Sequence, residues 1–213
     1  MDFDTAWGGL DPRFRMSLQQ AWASLGRRGL PVGAVVARDD DVLAAGRNRV
    51  YDPPGGSDPL QRTPLAHAEM NALASLTDET DFSRCSIWST HVPCAMCEAA
   101  IEFAGLSSTH YLADDPSSED ADAPRPVTAP AASIWTVVAN VMFLHNVAWV
   151  GGRDAPIVAR YARREPEIAA LALRVLDDQI FIRASTEGAD LPAGLASPWE
   201  SVIEVTEVRA ARG

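Results

Sequence analysis

His67-Ala68-Glu69-Met70-Asn71-Ala72-Leu73 and Pro93-Cys94-Ala95-Met96-Cys97, whose Cys94 lies 27 residues beyond His67, are the two stretches that decide how this chain is read. Two cysteines three apart in the first turn of a helix point their sulfurs toward one centre. The unpaired N–H groups and positive helix end there favour their thiolate forms. Zinc takes nitrogen and thiolate ligands, and a catalytic zinc site supplies three of them and leaves a fourth position for water. His67, Cys94 and Cys97 are such a set, which makes Zn2+ the implied cofactor. Two thiolates offset the charge of the ion, and the ion brings the pKa of water into a usable range. Glu69, two residues beyond His67, is placed to reach that water without ligating the metal, as a general acid and base.

Other uses of the same residues stay open. His91 lies three residues before Cys94, so His67, His91, Cys94 and Cys97 could close a structural zinc site, giving a non-catalytic module in which Glu69 has no task. A redox pair of Cys94 and Cys97 would leave both His67 and Glu69 idle. Cys85, at a strand start, reads as a small buried hydrophobe.

Outward from these motifs, strands and helices alternate. Asp11-Pro12 opens a helix in which Phe14, Leu18, Trp22 and Leu25 recur at helical spacing, closed by Gly26 and Gly29. Pro31 to Arg38 and Val42 to Arg47 are β-rich runs flanking Asp39-Asp40-Asp41, a hairpin pattern. Tyr51 to Pro64, with its prolines and glycines, is an irregular loop. Ala66 to Leu76 is helical, Cys85 to Thr90 a strand, Cys94 to Phe103 a helix and Thr109 to Ala113 a strand. This alternation predicts an α/β architecture. After an acidic loop, Asp114 to Ala132, come an apolar helix (Ile134 to Trp149), a helix opening near Pro166 and a last segment from Ser197-Pro198. The division is a core over residues 1–129 and a mostly helical extension over 130–213, packed on the same domain.

Charge and composition narrow the partners. The 213 residues carry 29 acidic side chains against 18 basic ones, all arginine, for a net charge of −11. Residues 51–123 hold 13 acids and two arginines, while the rest of the chain has 16 of each. A segment of net −11 around the candidate site opposes the approach of polyphosphates, even screened over about 8 Å, and argues against nucleic acid as a partner. Three cysteines, two of them adjacent in space by their spacing, suit a reducing compartment. The start, Met1-Asp2-Phe3-Asp4, lacks the basic and apolar regions of a signal peptide. The apolar stretch 134–150 is broken by Thr136, Asn140, His145 and Asn146 and is shorter than the roughly 20 residues of a membrane span. A cytoplasmic chain without a membrane partner is expected.

The motif pair resembles the cytidine deaminase superfamily, in the branch that holds nucleobase and nucleoside deaminases of the guanine and cytosine type and tRNA adenosine deaminases. The resemblance covers about residues 10–116. It implies a three-layer α/β/α sandwich around a five-stranded mixed sheet, bound zinc and a homodimer. It implies hydrolytic deamination, in which water attacks an amidine-like ring carbon and ammonia leaves. Pro31-Val32-Gly33-Ala34-Val35-Val36 followed by Gly46-Arg47-Asn48 resembles the first hairpin of the family, whose asparagine binds the base; that role falls on Asn48. In the helix bearing His67, the backbone N–H of Ala68 would contact a polar atom of the base. Thr90-His91-Val92 departs from the Thr-Leu-Glu or Thr-Leu-Ser usual in the family and puts a histidine at the pocket rim, which bears on substrate identity. Asp114 or Asp115 follows the strand that ends at the pocket and could meet a substrate amine. A stacking aromatic from the extension is expected among Trp135, Phe143, Trp149, Phe181 and Trp199; Trp88, His110 and His145 read as structural. The charge count favours a small heterocyclic amine over adenosine in a tRNA loop.

Overall fold

Strands β1 (Gly33–Arg38) and β2 (Asp41–Arg47) form the predicted hairpin, with Arg38 paired to Asp41 across the turn. Asp39 takes a left-handed φ of 53°, a conformation that aspartate tolerates better than most residues. The computed structural model describes residues 1–54, 56, 58, 60–117 and 133–212. β3 (Cys85–His91) runs antiparallel to β1, and β4 (Ser108–Ala113) runs parallel to β3, giving a mixed sheet in the order β2-β1-β3-β4.

The sheet has four strands among the described residues, not the five implied by the resemblance. Beyond β4 the described chain resumes as a helix, α5 (Ile134–Gly151), and continues as helices. The residues of α5 are apolar and buried nearly all round, over a length no strand of this sheet approaches. Such a run buries itself as a central helix. The predicted acidic loop is described only over Asp114–Ser117; Glu119, Asp120, Asp122 and the boundary at 129/130 lie outside the described residues.

Helices cover both faces of the sheet. Gly33 and Ala34 are neighbours on β1 and so face opposite sides. Gly33 looks onto α2 (Pro12–Leu25), while Gly46, the cross-strand partner of Ala34, looks onto α3 (Ala68–Ala74). Between the sheet and α3, Ala34, Val36, Ile87, Ala68 and Ala72 pack with Ile101 of α4 (Ala95–Ala104). On the other face Leu18, Trp22 and Leu25 of α2 join Leu112 of β4, α5 and the helices that follow in one larger core. Those helices are α6 (Pro156–Arg164), α7 (Pro166–Asp177), α8 (Ile180–Thr186), α9 (Leu191–Ala196) and α10 (Trp199–Ala210). A short α1 (Phe3–Gly9), capped by Asp2, packs Phe3 and Trp7 edge-on against Trp135 and Trp199 with centroids 4.9–6.2 Å apart.

α5 is the one described helix long and apolar enough to cross a membrane, and 78% of it is buried inside the fold. The Thr136 hydroxyl donates to the Leu112 carbonyl at 2.6 Å and fixes α5 to β4. Further along, His145 is fully buried between Phe181 and Trp149, with no hydrogen-bond partner for either ring nitrogen among the described residues. Burial pulls its pKa down to about 4. The folded value lies below the unfolded one of about 6.5, so the unfolded chain binds a proton that the folded chain refuses. Stability from this group is complete above about pH 6.5 and is lost as pH falls toward 4. His145→Leu should therefore reduce the stability loss between pH 7 and pH 5 by about 2 kcal/mol relative to wild type, read by urea denaturation at both values. An unaltered slope would assign the titration elsewhere.

Candidate active site

The site begins with a close approach. A Cβ on Gly46 would lie 2.2 Å from the Ala68 carbonyl oxygen and 2.5 Å from the Ala72 nitrogen, so only glycine lets α3 lie directly on β2. On the opposite face Gly33 does the same for α2, where a Cβ would meet the Ser17 carbonyl at 2.1 Å. The end of the hairpin that carries Asn48 is thus clamped between two helix backbones.

α3 starts at Ala68, two residues later than the sequence predicts, because His67 is its N-cap; Cys94 is likewise the N-cap of α4 rather than a first-turn residue. Neither side chain makes the capping hydrogen bond usual at that position. Both turn instead toward each other and toward Cys97. His67 Nδ1 lies 3.5 Å from Cys94 Sγ and 3.6 Å from Cys97 Sγ, and the two sulfurs are 3.7 Å apart. With Zn–N of about 2.0–2.1 Å and Zn–S of about 2.3 Å, tetrahedral bonds give N···S edges of about 3.6 Å and an S···S edge of about 3.8 Å. The donor triangle fits zinc in both chemistry and size. Among the described residues these three form the group able to hold a metal. His91 is not part of it, since its Nδ1 lies 3.1 Å from Thr90 Oγ1. The closed four-ligand arrangement is not assembled.

Electrostatics follow from the same contacts. Hydrogen bonding from Cys97 and His67 draws the Cys94 thiol down to about 3, and Cys94 in turn raises the pKa of His67. The Cys97 thiol is pushed up, first by its bond to Cys94 and then by burial. Glu69, 3% exposed, has a raised pKa because burial disfavours its charge; its own N–H, Ser89 and His67 oppose that shift. Glu69 Oε1 accepts the Ser89 hydroxyl at 2.8 Å, and Oε2 lies 3.5 Å from Cys97 Sγ. The sequence reading passes over Ser89, although period-two alternation from Ile87 would have put a hydroxyl on the α3 face.

The other predicted residues line the same cleft, which is walled by Leu30, Val32, Asn48, Ala68, His91 and Phe143 among others. Asn48 Oδ1 accepts the Val50 N–H at 3.2 Å, while its NH2 has no bond among the described residues. Ala68 contributes one of the N–H groups that a helix start leaves unpaired. Behind Asn48, Arg47 and Asp52 form a buried two-point ion pair at 2.8 and 2.5 Å, and Arg49 pairs with Asp58. The irregular loop is therefore pinned by charges that its composition does not announce. Of the two aspartates after β4, Asp115 lines the cleft with Ser117, and Asp114 is exposed. Of the five candidate aromatics, Phe143 of α5 reaches the cleft, 5.2 Å from the His91 ring. Trp135 and Trp199 meet Phe3 edge-on, Trp149 lies under Arg28, and Phe181 packs on Trp22. Trp88 and His110 stack on each other outside the cleft lining.

Comparison with known proteins gives the following. Residues 12–113 match the cytidine and deoxycytidylate deaminase zinc-binding region. The chain is 31% identical over 109 residues to cytosine deaminase of Candida albicans, covering 50% of this chain and 64% of that protein. It is 30% identical over 104 residues to the tRNA-specific adenosine deaminase of Agrobacterium fabrum, covering 47% and 63%. With guanine deaminase of Bacillus subtilis it shares 28% over 96 residues, covering 44% and 56%. The match thus spans between about half and two thirds of these relatives. Among solved structures, that of Bacillus subtilis guanine deaminase aligns at 24% identity and a TM-score of 0.41, over 61% of this chain and 83% of that one.

The clamp at Gly46 is testable without knowing a substrate. Gly46→Ala should cost about 1–3 kcal/mol of stability by overpacking and, by displacing His67, weaken zinc binding at least about tenfold. Gly9→Ala, whose Cβ would meet nothing, is the control. Equal behaviour of the two variants in denaturation and zinc titration would remove the clamp from the account.

Proposed function

We propose that the chain, whose residues 12–113 match the cytidine and deoxycytidylate deaminase zinc-binding region, is a zinc-dependent hydrolytic deaminase releasing ammonia from a small amino-heterocycle, such as a nucleobase or nucleoside. The observation that carries the reading is the pairing of a three-donor zinc triangle with a buried carboxylate alongside it. His67, Cys94 and Cys97 would hold the ion, which when bound supplies a nucleophile by acidifying water.

The remaining chemistry belongs to side chains. Glu69, steadied by Ser89, takes one proton from the attacking water and passes it to the ring nitrogen beside the attacked carbon. It then takes the second proton from the added hydroxyl and gives it to the amine, so that a carbonyl forms as the C–N bond breaks and ammonia leaves. Its raised pKa suits that exchange, because a carboxyl group that shuttles protons works best when both forms are accessible. The unpaired NH2 of Asn48 and the N–H of Ala68 orient the heterocycle, and Phe143 packs against its face. The buried walls keep bulk water out.

The family resemblance also admits adenosine in a tRNA loop, and one relative bears that name. Charge supports the small molecule, since residues 51–123 hold 13 acids against two arginines and would repel a phosphate backbone. We read residues 1–129 as the catalytic core, 130–213 as an extension sharing its domain, and the whole as a cytoplasmic homodimer with no nucleic-acid or membrane partner. Three free cysteines are consistent with a reducing compartment.

Two variants separate metal from chemistry. Cys94→Ser should lose zinc and activity together, whereas Glu69→Gln should keep zinc and lose at least about a hundredfold in kcat/KM. Activity is read as ammonia release from guanine, cytosine, adenine, their nucleosides and aminotriazines. A zinc-loaded wild type that releases none from any of them would refute the deaminase reading.

A further inference from the structure

His91 is a cleft residue to which the proposed chemistry gives no task. It closes β3, is 3% exposed, and shares the cleft wall with Asn48, Phe143 and Asp115. Its hydrogen-bond partners favour one position for the ring proton. Thr90 is fully buried, and its Oγ1 accepts the Gly33 N–H at 3.2 Å. A hydroxyl also has one proton to donate, and the available acceptor is His91 Nδ1 at 3.1 Å. Nδ1 therefore accepts, and a neutral ring must hold its hydrogen on Nε2.

Burial draws the His91 pKa down to about 4, against Asp115 and Asn140, which favour the protonated ring. The imidazole is thus neutral near pH 7, with Nε2–H as donor. Nε2 is buried and makes no hydrogen bond within bonding distance among the described residues, its polar neighbour on α5 being Asn140. A buried donor without an acceptor is costly and rare in folded chains, and it becomes an asset where a ligand brings the acceptor.

We infer that His91 is a specificity-determining residue whose Nε2–H donates to a ring nitrogen or carbonyl oxygen of the bound heterocycle. The inference rests on the deaminase reading of the site. It narrows the substrate class to amino-heterocycles that offer a second acceptor besides the one met by Asn48. Asp115, on the same wall, is available to accept an N–H from the same ring.

The test compares wild type, His91→Leu and His91→Gln on guanine, adenine and cytosine, with zinc content and thermal melting measured for each. His91→Leu should lower kcat/KM on the preferred base at least about tenfold, chiefly through KM, with zinc retained. His91→Gln, whose amide can place an N–H near Nε2, should restore most of that loss. Undiminished kcat/KM in His91→Leu would overturn the inference, as would an equal loss in both variants. Should His91→Leu fail to fold, nitrogen-15 NMR of the wild type decides: Nε2 should be the protonated nitrogen, and its resonance should shift on saturation with xanthine, hypoxanthine or uracil, the deaminated product of the preferred base. A protonated Nδ1, or an unmoved Nε2 resonance, would overturn it. Absence of wild-type activity on every amino-heterocycle is a different result, since it would overturn the deaminase reading itself.

Discussion

The contact between Gly46 and the first turn of α3 sets the depth of everything the site contains. With the helix backbone lying on the strand, His67 at the cap and Glu69 in the first turn are carried below the surface. Glu69 could not otherwise be buried beside Ser89 on the neighbouring part of the sheet. The second half arrives by a different route: β3 ends, the Val92 N–H bonds the Ala113 carbonyl at 2.8 Å, and Pro93 delivers Cys94 to the start of α4. Two helices therefore present their N-termini to one point, each with a ligand at its cap position. Side chains that would ordinarily satisfy first-turn N–H groups are diverted to a metal centre, and the helix ends contribute positive potential to thiolates held there. Loss of two capping bonds, each about 1 kcal/mol, is a cost that metal binding offsets.

That arrangement also orders the charges. One thiol of the triangle is strongly acidified and the other resists ionisation, because two adjacent thiolates without a cation repel. Glu69, burial-shifted in the protonated direction, adds to the same concentration of negative charge. A divalent cation resolves the conflict, which is why the trio is better described as an ion site than as a redox pair. The arginines lie further back. Arg47 and Arg49 are tied to Asp52 and Asp58 in the loop behind Asn48, so their positive charge holds backbone in place and is not offered to a substrate.

Much of this was legible from residue order. The hairpin, α2, α4, α7 and α10 announce themselves through proline and capping signals, period-two runs and helical spacing, and the ligand trio through its motif. What escaped did so for physical reasons. α1, α8 and α9 have six or seven residues each, too few for a periodic pattern to stand out, and they form because tertiary contacts support them. α6 is amphipathic but follows Ala155 with no side-chain cap. A fifth strand was an inference from kinship, and no periodicity in the extension asked for one. Ser89 and the Arg47–Asp52 pair depend on cross-strand and loop geometry, which residue order alone does not contain. Phe143 could not be chosen among five aromatics because the choice depends on how α5 rotates against β4.

That rotation shows why the extension is more than a covering. Thr136 bonds to Leu112 one way along α5, and His145 is buried against Phe181 the other way, so the helix is fixed at both ends of the turn that carries Asn140 and Phe143. A helix with mostly apolar neighbours pays for each buried polar side chain, and α5 holds four: Thr136, Asn140, His145 and Asn146. Packing alone would favour leucine or valine at those places. Thr136 has a stabilising bond, and Asn140 faces His91 beside the cleft, so part of the cost coincides with contact to the sheet and the cleft wall. The half that carries the donor triangle can position an ion, but the wall opposite it comes from a helix whose register is set by the C-terminal core. Changes in α6 to α10 that shift α5 would therefore reach the cleft through Phe143 and His91, with the metal triangle untouched.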